Sequence, residues 1–88
     1  MVTAKLIDNI WATRKSELLS GYKLMLVEVT GGKDAGKRMV AADVISAGIG
    51  DRVLVTLGSS ARRMFGDDNI PVDAAIVGII DEDCCFDE

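Results

Sequence analysis

Four short stretches of this chain carry residue types that could do chemistry. Gly31 to Gly36, followed by Lys37, has the G-x-x-x-x-G-K spacing of a phosphate-binding loop, whose backbone N–H groups cradle phosphate oxygens. That loop needs a Ser or Thr next for its magnesium ion, and Arg38 stands there instead. Strand-type residues follow where a helix should begin, so this is the tip of a hairpin. Gly58-Ser59-Ser60-Ala61-Arg62 offers two hydroxyls, but a nucleophile elbow would need glycine at position 62. No histidine exists anywhere in the chain to act as its base. Ser59 or Ser60 is predicted to cap a short helix. Exposed N–H groups and hydroxyls beside Arg62 could also line a small polar opening or meet an anion. Arg62 and Asp73 flank apolar segments; as solvated surface ions they would contribute little. Across a subunit seam, a two-pronged Arg–carboxylate pair would fix register. Last, Asp83-Cys84-Cys85-Phe86 sets two thiols among carboxylates. Adjacent cysteines reach disulfide geometry poorly, and zinc would want a histidine or a second cysteine pair. An acidic end segment is the simpler reading.

The elements that must carry these stretches are mostly short strands. Val2–Ile7 is predicted as the first, with a bend at Asp8-Asn9 and a continuation over Ile10–Thr13. Arg14–Gly21 is polar and reads as a loop anchored by Leu18 and Leu19. Tyr22–Thr30 and Lys37–Ala42 read as strands joined by the glycine-rich hairpin loop. Gly48 and Gly50 mark a turn before a fourth strand at Arg52–Leu57. One helix is expected, over Ala61–Phe65, ended by Gly66. Asp67–Ile70 is loop, and Pro71 opens the last strand, where its missing N–H costs little. Several short strands with glycine turns indicate an all-β fold, a small closed or half-closed barrel with one short helix.

Val53–Leu57 and Ala74–Ile80 are nearly unbroken apolar runs, not the alternation of a strand with one wet face. Both faces want cover, which a chain of 88 residues has little means to supply. Another copy of the same chain is the simplest source. Charge agrees with that: the net charge is −4, and Asp81, Glu82, Asp83, Asp87 and Glu88 supply the acidic excess. The preceding residues are nearly neutral, which suits self-association better than gripping phosphates. No run approaches the roughly 18 apolar residues of a membrane span, and Lys5 and Asp8 interrupt any signal-peptide core. A cytoplasmic, reducing location is expected. Trp11, Tyr22, Phe65 and Phe86 are too few and scattered for a base-stacking platform. An OB-like module for single-stranded nucleic acid is therefore the alternative reading, and an enzyme ranks behind it.

The block Ala41–Asp81 resembles the pentameric vertex proteins of bacterial microcompartment shells, the family shared by carboxysomes and ethanolamine-utilisation compartments. The resemblance is carried by A-A-D at Ala41–Asp43, A-G-x-G at Ala47–Gly50, G-S-S-A-R at Gly58–Arg62 and P-V-D-A-A-I-V-G-I-I-D at Pro71–Asp81. Thr13, Lys15, Leu18, Gly21 and Lys23 fit more loosely. The chain departs from the pattern near Asn9, where a glycine is expected, and in its Cys84-Cys85 tail. The resemblance implies a five-stranded, OB-like barrel over residues 1–81 that assembles as a cyclic homopentamer, with an acidic tail over 82–88. It implies a non-enzymatic role: fivefold wedges that close the vertices of a shell tiled by hexameric proteins. No cofactor, metal, nucleic acid or membrane enters that reading. Gly58, Ser59, Ser60 and Arg62 are then expected near the ring axis or subunit seam, with Asp73 facing them. G-S-S-A-R and the short C-terminus lean towards a catabolic compartment.

Overall fold

The computed structural model describes residues 1–11, 17–19, 21–66 and 71–84. Thr13, Lys15, the loop Asp67–Ile70, Cys85 and Phe86 lie outside the described residues. The elements are β1 (Val2–Asn9), a 3-10 turn (Glu17–Leu19), β2 (Lys23–Val29), β3 (Arg38–Asp43), β4 (Arg52–Leu57), α1 (Ser59–Arg63) and β5 (Ala74–Ile79). The strands close into a barrel in the order β1-β2-β3-β5-β4, with β4 returning to β1. Every pairing is antiparallel except β3 with β5. The barrel is thus closed rather than half-closed, and its five strands are compatible with the OB-like expectation.

Alternation builds the interior. Ala4 and Leu6, Met25 and Val27, Ala41, Val53 and Val55, Ala74 and Ile76 all point inward and form one buried cluster. These are small and β-branched residues for the most part, which suits the pleated, curved inner wall of a narrow barrel. A second, smaller cluster sits outside the barrel wall, where Ala42 and Val72 meet Leu19, Tyr22, Leu24 and Phe65. Tyr22 and Phe65 stack edge to face, 4.8 Å apart at 78°. Leu19 is therefore an anchor, as its apolar character in a polar stretch predicts.

Four local details differ from the sequence reading. β1 does not bend at Asp8-Asn9; it runs through to Asn9, and a bulge falls between Leu6 and Asp8. That bulge lets Asp8 and Asn9 stay paired with Leu26 and Met25 as the strand curves around the barrel. The helix is capped by Gly58, not by a serine: no side-chain cap bond forms, and Ser59 and Ser60 lie inside the first turn. Gly58 holds φ 65°, a conformation that serine adopts only at a cost. Pro71 precedes β5 but does not open it, because β4 ends at Leu57 opposite Ala74 and leaves earlier residues no ladder partner. Finally, α1 packs on β4 and β5 and buries Ala61, so the chain's own helix covers part of these two strands. α1 thus covers Ser59–Arg63 rather than Ala61–Phe65 and is C-capped by Met64, with Gly66, at φ 72°, closing the turn that follows.

The family-like motifs before β4 have a structural purpose. The Asp43 carboxylate accepts the N–H of Ile45 through Oδ1 and of Ala47 through Oδ2, each at 2.9 Å. Asp51 Oδ2 accepts the N–H of Gly48 at 2.8 Å. Leu6 N–H donates to Asp51 O and Gly50 N–H to Leu6 O, so the loop is tied to β1. Hydrogen bonds to a charged acceptor contribute about 1.5–3 kcal/mol each when partly buried. Replacing Asp43 with alanine is expected to cost about 2–3 kcal/mol, and Asp43→Asn roughly half, read from urea midpoints.

Candidate subunit interface

The five residues singled out in the sequence fall at one end of the barrel. β4 runs out at Leu57, the chain turns through Gly58, and α1 begins at once. Gly58 N–H donates to Asp73 O at 2.8 Å, so the segment before β5 is held directly against the helix start. The structure therefore brings Gly58 and Asp73 together, but through the backbone. Among the described residues no ion pair joins Arg62 to Asp73; Arg38 does pair with Glu28, 3.1 Å apart and largely solvated. Arg62 is half-buried, whereas the side chains of Ser59, Ser60 and Asp73 face solvent.

Little here can do catalysis. Ala61 N–H and Arg62 N–H both donate to Gly58 O, which occupies two donors at the helix start. No group of three potential metal-binding side chains occurs among the described residues. Gly31–Lys37 forms the tip between β2 and β3. Gly36, at φ 92°, donates its N–H to Val29 O, while Val29 N–H donates to Lys37 O. That is a glycine bulge in a hairpin, not a phosphate cradle.

What this end does offer is a recess in which apolar side chains sit beside Lys37 and Asp73. β3 pairs with β2 along its whole length, but with β5 only at Ala42 and Asp43. Its first half therefore lacks a neighbour on the β5 side. A groove of about 480 Å³ opens there, lined by Lys37, Met39, Val40, Leu57, Gly58, Asp73 and Ala74. A smaller recess of about 170 Å³ continues it past Val72 and Leu24, sharing Val40, Asp73 and Ala74. Val40 is 46% exposed and Leu57 37%. Sequence reasoning missed Val40, although an apolar residue on the outward line of R-M-V-A-A was a signal.

The two apolar runs divide between these surfaces. Val53, Val55, Thr56, Ala74, Ala75 and Ile76 are buried within one protomer. The expectation that both faces need foreign cover is thus too broad. Leu54, Val77 and Ile80 stay half-buried. Leu57 and Ile79, the latter 48% exposed, extend the inward-facing lines to opposite barrel ends, where they meet water.

A family model described as "Ethanolamine utilisation protein EutN/carboxysome" matches residues 1–81. The carboxysome shell vertex protein CcmL of Synechocystis sp. is 42% identical over 83 residues, covering 92% of this chain and 83% of that protein. The microcompartment shell vertex protein GrpN of Rhodospirillum rubrum is 42% identical over 83 residues, covering 92% of this chain and 93% of GrpN. The solved structure of the pentameric shell protein MSM0273 from the RMM microcompartment superposes with a TM-score of 0.84 at 35% identity. It covers 100% of this chain and 99% of that one.

Proposed function

The chain belongs to the EutN/CcmL family of bacterial microcompartment shell vertex proteins, and on that premise we propose that five copies close a shell vertex. It is a structural shell protein, and its work is geometric. A flat sheet of sixfold tiles cannot close on itself; a fivefold piece supplies the curvature at each corner. The observation that carries this reading is the whole-length match to a pentameric shell protein. The protomer agrees with it, since apolar side chains remain open at both barrel ends.

Several finer points belong to the same proposal. The chain contributes no catalysis of its own, and its neighbours in the shell are hexameric shell proteins. Residues 1–81 are the assembling barrel and 82–88 an acidic tail, a division supported by the family match ending at residue 81. Gly58, Ser59, Ser60, Arg62 and Asp73 lie near the ring axis or the seam between copies. The compartment is catabolic, a reading supported by the G-S-S-A-R segment at Gly58–Arg62. Its place is the cytoplasm, within the shell. No helix among the described residues is long and apolar enough to cross a membrane. Binding of single-stranded nucleic acid has weaker support, because Tyr22 and Phe65 are engaged with each other. Native mass spectrometry at micromolar concentration should show a five-subunit species. A persistent monomer would contradict the reading.

A further inference from the structure

A cyclic ring joins two different patches, one from each neighbour, and every copy carries both. Rotation about the ring axis preserves height, so two patches that meet must lie at equal height on a single protomer. The tip of α1 and the groove beside β3 share Gly58, so their heights can differ by no more than the short distance between them. Patches so close on one copy can meet only near the axis, where neighbours converge.

Their chemistry is complementary. Met64 follows α1 and is 51% exposed, left out of the outer cluster that takes its neighbour Phe65. Arg62 and Arg63 flank it. Methionine and arginine are enriched at protein–protein contacts, and methionine adapts to an irregular recess. The groove presents Met39, Val40, Leu57 and Ala74 between two charged residues, Lys37 and the exposed Asp73, and the carboxylate is its one anionic group. Trp11 and Ile49 are also exposed, but their chain neighbours Ile10 and Gly50 bond to Leu24 and Leu6, and neither residue lines the groove.

We propose that Met64 of each copy seats in the Val40–Leu57 groove of the next, bringing Arg62 against that copy's Asp73. This rests on the pentameric reading and deepens it: the groove is incomplete without the partner's helix tip. The pairing places G-S-S-A-R around the ring axis and makes α1 both the cover of its own barrel and the plug of its neighbour's.

Disulfide capture tests the contact. In a Cys84→Ser, Cys85→Ser background, Val40→Cys and Met64→Cys would be combined in one chain and oxidised mildly. A disulfide spans a Cα separation of roughly 4.4–6.8 Å, so capture reports positions 40 and 64 meeting closely across the seam. A ladder of covalent species up to five subunits on a non-reducing denaturing gel is expected, with either cysteine alone giving monomer. An intact ring without a ladder, or dimers from a single cysteine, would overturn the contact while leaving the pentamer standing. If the parent chain shows no pentamer, the reading beneath it falls instead. Should the cysteine pair itself block assembly, Met64→Ser decides. About a tenfold rise in the concentration at which rings dissociate supports the contact, and unchanged dissociation refutes it.

Discussion

Replacing Ile76 with alanine is expected to remove a large share of the barrel's stability, and with it part of the ring's. Ile76 is fully buried in the barrel interior among Leu6, Val27, Val53 and Val55. It lies opposite Val55 on β4 and opposite Asp43 on the two-residue seam to β3. Truncating such a side chain costs about 2–5 kcal/mol, because lost burial and the residual cavity add. A domain of this length has about 4–13 kcal/mol of stability in total. The seam offers no redundancy, since β3 and β5 touch at only Ala42 and Asp43 on the β3 side. At about 4–8 °C per kcal/mol, the melting midpoint should fall by roughly 10 °C or more. Melting must be compared at one protein concentration, since association raises the apparent stability of a ring. Ile79→Ala, at an exposed position on the same strand, is the control and should move the melt of a dissociated sample far less. Equal shifts for the two would mean that the interior drawn here is wrong.

The fold was legible wherever a strand had one wet face or clear punctuation. Arg52–Leu57 emerges with the bounds read from its apolar run and the glycine turn before it. The hairpin at Gly31–Gly36 emerges because glycine permits the bulge at Gly36. Features that depend on three-dimensional closure were harder to read. The bulge in β1 exists to curve a strand around the barrel, and nothing in V-T-A-K-L-I-D-N announces it. Serine was assigned the cap of α1 by local chemistry, but the turn into the helix demanded a positive φ, and Gly58 took the position. The groove was invisible for a similar reason. It arises where β3 outruns its parallel partner, a fact about strand register that no single segment contains. Family-like motifs pointed to the right region, and the backbone bond between Gly58 and Asp73 gives that region its geometry.

Reversing the charge at position 62 is expected to break the ring and spare the barrel. Arg62 is half-buried, and no ion pair ties it to its own protomer among the described residues, so Arg62→Glu breaks no such pair within the barrel. Across the seam the same change sets two carboxylates together in place of a guanidinium and Asp73. Like charges facing one another at an interface cost from about 1 kcal/mol where solvated to several where desolvated. A closed ring repeats every contact once per subunit, so even about 1 kcal/mol per seam becomes about 5 kcal/mol for five. Folded monomers with an unchanged circular-dichroism spectrum should therefore replace pentamers at micromolar concentration. Salt should recover part of the ring by screening the repulsion. The decisive arm is Asp73→Arg added to Arg62→Glu, which restores opposite charges with the polarity reversed and should rebuild the pentamer. A ring unaffected by Arg62→Glu alone would take Arg62 off the seam. A ring broken by it and not rebuilt by the double change would keep Arg62 at the seam but give it some partner other than Asp73.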